Sequence, residues 1–163
     1  MKKLILIGLL TICCSTLKAQ AITKDTLNNW EYSNQTNEMT GKKMYFAIER
    51  SYLNDIQSVI QICVRYTEAT NKNEVLLTVT NGFFNVGVYG ITISVKFDSG
   101  EIERFDCTRA TDNDFGTIFI SKVPKFIKEL EKSKTMMIEV SIYGKNDHIY
   151  KFDTEGLKWD YLK

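Results

Sequence analysis

Three Phe-Asp pairs recur along the chain: Phe97-Asp98, Phe105-Asp106 and Phe152-Asp153. Carboxylates repeated in one context could form an acid–base pair or part of a metal site. Both chemistries need several side-chain oxygens converging on one point. The same residues could mark strand ends, where an aspartate accepts hydrogen bonds from nearby backbone N–H groups. Taking Ser99-Gly100 as a two-residue hairpin loop sets Phe97 opposite Ile102, Lys96 opposite Glu103 and Asp98 opposite Glu101. Asp98 then lies at one end of the hairpin and Asp106 near the other. Several steps of ~3.3 Å along antiparallel strands keep the two carboxylates apart. The repeat reads as strand-end grammar, not as an acid pair.

The remaining reactive residues form no recognisable site. His148 is the single histidine and opens a strand after a turn. One histidine with two distant cysteines gives none of the paired spacings of a zinc site. Asp112-Asn113-Asp114-Phe115-Gly116 approaches a calcium loop, but the glycine comes one place early and the closing glutamate is missing. Gly82, Gly87 and Gly90 lack the Lys-Ser/Thr of a phosphate loop. No Gly-x-Ser-x-Gly elbow or Cys/His pair appears. We therefore expect no catalytic residue, no metal and no cofactor. The rival is an enzyme whose site assembles from scattered residues such as Asp106, Arg104 and Tyr143.

The stretch NGFFNVGVYG, residues 81–90, crowds Phe83, Phe84 and Tyr89 among three glycines between two strands. Exposed, this loop would be a partner-binding surface, because aromatic side chains dominate interface energetics. Buried, it would be a bulged strand whose aromatics pack inward, with glycine easing the bend. The sequence leaves both readings open, with the buried one ahead.

These residues need elements to position them, and the elements begin after a leader. Residues 1–19 combine Lys2 and Lys3, an apolar run over 4–14, and a small polar tail ending at Ala19. That is the pattern of a secretory signal peptide, too short to span a bilayer. A lipid-anchored alternative would use Cys13 or Cys14, but Ile12 is bulky where such sites take a small residue. Without the leader the chain has 18 basic and 20 acidic residues, so no basic excess favours nucleic acid. No later segment reaches membrane-spanning length. Cys63 and Cys107 remain in a chain expected in an oxidising compartment, where they form either a disulfide or two buried thiols.

Alternation of period two dominates from residue 28 onward. Ile91, Ile93, Val95 and Phe97 share one face, as do Ile60, Ile62, Val64 and Tyr66, and again Met136, Ile138, Val140 and Ile142. Strands are expected over 43–52, 58–67, 74–80, 91–97, 115–120, 135–143 and 148–153. Close turns between them dictate antiparallel pairing, since parallel strands need long crossovers. Val123, Phe126, Ile127 and Leu130 instead follow helical spacing, with Ser121 placed to cap the helix and Pro124 suited to its first turn.

In this order the pieces resemble the VasI-like family of small exported bacterial and phage proteins, which includes accessory proteins of type VI secretion loci. The resemblance rests on Trp30 followed by Met39-Thr40, on Gln61-Ile62-Cys63-Val64-Arg65, on Lys96-Phe97-Asp98-Ser99-Gly100, and on the ending Phe152-Asp153-Thr154-Glu155-Gly156-Leu157. It runs from Trp30 to the C-terminus and implies an exported β-rich domain with an accessory or binding role. It carries over no catalytic residue.

The expected fold is mainly β. Residues 20–163 would form a single antiparallel β-sandwich-like domain with one packed amphipathic helix and a short C-terminal helical turn over 155–161. The expected function is that of a periplasmic or secreted non-catalytic protein that binds another envelope or secreted protein. A carrier for a lipid or small molecule, with an apolar cavity between sheet and helix, is the alternative.

Overall fold

Alternation along the longer strands sends one set of side chains inward and the other to solvent, and these strands enclose one core. The computed structural model describes residues 23–24, 29–53, 58–87, 90–110 and 114–162. Its strands are β1 (Thr23–Lys24), β2 (Glu31–Thr36), β3 (Lys43–Leu53), β4 (Ser58–Thr67) and β5 (Lys72–Val79). They continue as β6 (Ile91–Phe97), β7 (Ile102–Arg109), β8 (Thr117–Ile120), β9 (Thr135–Ser141) and β10 (Asp147–Asp153). One helix, α1 (Val123–Lys132), lies between β8 and β9. The segment read as an export signal, together with Tyr89, Asp112 and Asn113, lies outside the described residues.

The strands join in a single antiparallel sheet of order β1-β2-β3-β4-β5-β8-β7-β6-β9-β10. β3 also packs against β10, so the sheet folds over its own inner face in a sandwich-like arrangement. The strands β6, β7 and β8 form a meander that runs back to β5. Helix α1 then returns the chain to the far side of β6, where β9 and β10 complete the sheet.

Inner-face residues pair across strands as the alternation requires: Val64 meets Ala47 and Val75, and Ile62 meets Leu77. All of these are fully buried. Each large apolar side chain taken from water in this way contributes roughly 1.5–3 kcal/mol. The helix docks by Phe126, Ile127 and Leu130, the residues at helical spacing. Phe126 meets Phe97 and Phe105 edge-on, with ring centroids 5.5 and 5.0 Å apart, within the range where aromatic pairs attract. These rings pack between helix and sheet.

Four local expectations change. The hairpin between β6 and β7 pairs Lys96 with Ile102 and Val95 with Glu103, one residue away from the two-residue-loop register. The loop is Asp98-Ser99-Gly100, with Asp98 in the left-handed region at φ 48°. A slip of one residue would turn a whole strand over. Here it would have sent the buried Phe105 and Cys107 to solvent, so burial outweighs the shorter turn. At the helix start, Ser121 is not the cap: Lys122, at φ 53°, holds that position without a side-chain hydrogen bond. The Ser121 N–H is committed to Asp106 O at 2.9 Å.

At the C-terminus, 154–162 forms turns and extended chain instead of a helical turn. Gly156, at φ 86°, breaks any helix there, and Leu157 and Trp159 are buried at a spacing of two. Strand β2 was not anticipated as a strand; its residues are half-buried or exposed, so its alternation is faint.

Candidate functional site

Each Phe-Asp pair puts its phenylalanine in the core and its aspartate outside, and each aspartate has a structural partner. Asp98 Oδ1 accepts from Lys134 N at 3.0 Å, Thr135 N at 2.8 Å and Thr135 Oγ1 at 3.2 Å. It therefore caps the loop entering β9, a neighbour reached through the fold and not its own turn. The Thr135 backbone N–H leads in holding its carboxyl below the ordinary aspartate range. Asp106 accepts from Thr92 Oγ1 at 3.0 Å across the hairpin. Asp153 accepts from Asn29 Nδ2 at 3.0 Å and from Glu155 N at 3.3 Å.

Trp30 and Thr154 meet at this same junction. Trp30 is fully buried and donates from Nε1 to Thr154 O at 3.2 Å. Thr154 Oγ1 lies 2.9 Å from Ser133 Oγ beside the end of α1, and Thr154 N donates to Lys134 O at 2.8 Å. The residues tie the helix exit, β9 and β10 together.

The scattered enzyme candidates do not converge. Asp106 and Arg104 lie on the outer face of β7, while Tyr143 follows β9, with β6 between the two strands. Among the described residues, no group of three His, Cys, Asp or Glu could hold a metal ion. Cys63 and Cys107 are both free and buried. Cys63 is on the outer face of β4 and Cys107 on the inner face of β7, with β5 and β8 between them. Three strand spacings of ~4.8 Å exceed the ~7 Å Cα limit for a bridge. Desolvation pushes the Cys63 thiol to about 11 and the Cys107 thiol to about 12, which suits inert buried thiols.

The aromatic loop divides. Phe84 is 2% exposed and belongs to the core, which corrects its reading as a contact residue. Its N–H donates to Phe115 O at 3.0 Å, and its side chain is buried where that of its neighbour is exposed. Phe83 is 56% exposed, as the contact reading requires. Gly90 explains part of the glycine content: at φ 97°, a Cβ would lie 2.8 Å from Cys107 O.

Phe83 has company that the sequence did not announce. Phe115, 42% exposed, meets its ring edge-on at 6.3 Å, and the Arg109 guanidinium lies 5.3 Å from the Phe115 ring centroid. Tyr143, 71% exposed, donates its backbone N–H to Phe83 O at 2.8 Å. Asn85 N donates to Ser141 O at 2.9 Å, and Val79 N to Gly116 O at 2.9 Å. Three loops at one end of the sandwich are thereby stitched through their backbones while their aromatic side chains face out. The only hint in the sequence was an aromatic residue inside a turn, Asp-Phe-Gly and Tyr-Gly, in two separate loops.

No family model and no curated protein matches the chain. Among solved structures, the chain is similar to invasion-associated protein B from Bartonella henselae, at 14% identity and a TM-score of 0.46, covering 77% of this chain and 84% of that one.

Proposed function

We propose that this chain is an exported, non-catalytic accessory protein of the cell envelope that acts by holding another protein against the surface formed by Phe83, Phe115, Tyr143 and Arg109. The observation that carries the reading is this set of exposed aromatics and one arginine on a backbone-fastened platform. Aromatics and arginine are the residues that most often anchor protein interfaces. A platform already ordered before binding loses little further conformational freedom on binding. Export rests on the leader pattern of residues 1–19. The likeness to the VasI-like proteins supports the same accessory role.

The test is affinity capture from native envelope extract with the full chain, compared with a triple variant Phe83→Ser, Phe115→Ser, Tyr143→Ser. All three side chains are exposed, so the variant is expected to keep the parent's thermal transition within a few degrees. A partner polypeptide retained by the parent and lost by the folded variant is the expected result. Equal capture by both would overturn the assignment of this surface.

A further inference from the structure

A second aromatic region lies elsewhere on the molecule, between β2, β3 and the C-terminal residues 158–161. There the chain leaves a cleft of about 430 Å³, within the size range of small-ligand sites, ~300–1,000 Å³. Its walls include Tyr32, Tyr45, Trp159 and Tyr161. The Tyr161 ring stacks on Tyr45 at 4.5 Å and on Tyr66 at 4.9 Å, and Trp159 meets it edge-on at 5.2 Å.

The polar ends of these rings are already engaged. Tyr45 OH donates to Glu68 Oε1 at 3.2 Å, and Trp159 Nε1 donates to Asn73 Oδ1 at 2.8 Å. Tyr32 OH accepts from Lys158 N at 2.9 Å. What the rings offer a ligand is carbon surface. The rim adds Ser33, Asn34, Lys158 and Asp160, whose side chains make no hydrogen bond among the described residues. Together they supply donors and acceptors, and the one positive and one negative charge cancel.

We propose that this cleft is a binding site for a neutral saccharide chain, distinct from the protein-contact surface. A pyranose presents apolar C–H faces and a perimeter of hydroxyls that both donate and accept. Ring surface flanked by an amide, a hydroxyl and a carboxylate complements both features. A nucleotide or other phosphate ligand would call for a cationic cluster, and the rim holds one lysine opposite one aspartate. A lipid would call for an enclosed apolar cavity, and this cleft is open and polar-rimmed. A proline-rich peptide needs ring donors for its carbonyls, and the Tyr45 hydroxyl and Trp159 indole already donate to Glu68 and Asn73.

The experiment is calorimetric titration of the full chain with chitotetraose, cellotetraose and maltotetraose, and with a proline-rich decapeptide. At least one tetraose is expected to bind with a millimolar or tighter Kd. The double variant Asn34→Ala, Asp160→Ala should weaken it at least tenfold, whereas Phe83→Ser should leave it unchanged. Both rim residues are exposed, so an unaltered thermal transition separates lost binding from lost folding. The proposal is overturned if no tetraose binds, if the rim variant binds as tightly as the parent, or if only the decapeptide binds.

Discussion

The molecule carries two aromatic clusters, and they are built in opposite ways. Around Phe83, Phe115 and Tyr143 the rings stand in solvent, and backbone hydrogen bonds hold the loops beneath them. Around Tyr45, Tyr66, Trp159 and Tyr161 the rings stack on one another, and side-chain hydrogen bonds to Glu68, Asn71 and Asn73 fix their polar ends. The first arrangement leaves apolar surface exposed at one end of a well-packed sandwich, a cost without return unless something covers it. The second closes the core with the C-terminal segment and leaves only a cleft. Aromatic content alone does not tell the two regions apart; how the rings are fastened does.

The sharpest way to break this contrast is a pair of adjacent substitutions. Phe84→Ser removes a buried ring and leaves a hydroxyl in its place, so a loss of about 3–5 kcal/mol of unfolding free energy is expected. Phe83→Ser, one residue away, should change stability by less than about 1 kcal/mol. Urea denaturation of both variants measures the gap. Similar losses from both would mean that Phe83 is core and that the exposed cluster is misread.

A smaller, pH-dependent effect probes the inner face of β3 further along from the stacked tyrosines. Glu49 is buried opposite Ile62, and burial, followed by the nearby Asp153 carboxylate, pushes its pKa up to about 7. The folded state therefore keeps a proton that the unfolded chain gives up near its ordinary value of 4.5. Between those two values stability falls as pH rises, because the native state binds more protons than the unfolded one. Glu49→Gln should remove this slope. Thermal melts across pH should show the variant more stable than the parent above pH 7 and the two converging below pH 4.5. A parent whose stability rises through that window would contradict the burial of a protonated Glu49.

Much of the fold was legible because period-two alternation reports burial directly. Ile60, Ile62 and Val64, or Met136, Ile138 and Val140, announce their strands without help, and the helix follows from Val123, Phe126, Ile127 and Leu130. The hairpin register was not legible, since local turn rules favoured a two-residue loop. The core's demand for Phe105 and Cys107 decided otherwise. The cap was not legible either: the helix starts from Lys122, at φ 53°, one residue beyond Ser121, whose backbone N–H pairs with Asp106 in the neighbouring strand. Of the proposed contact surface, Phe83 was visible as part of an unusual loop. Phe115, Arg109 and Tyr143 were not, because only the topology brings their loops to one end. The cleft likewise joins residues from β2, β3 and the C-terminus, far apart in the chain.

The most direct test of the contact surface is site-specific photo-crosslinking in the living cell, with a photoreactive phenylalanine placed at position 83, 115 or 143 and, as a control, at the exposed Ile149. Ile149 lies on the outer face of β10, away from the three stitched loops. A discrete adduct to a second polypeptide from positions 83, 115 and 143, and none from 149, is the result expected of a protein-contact surface. Adducts from 149 alone, or none from the aromatic positions, would contradict it.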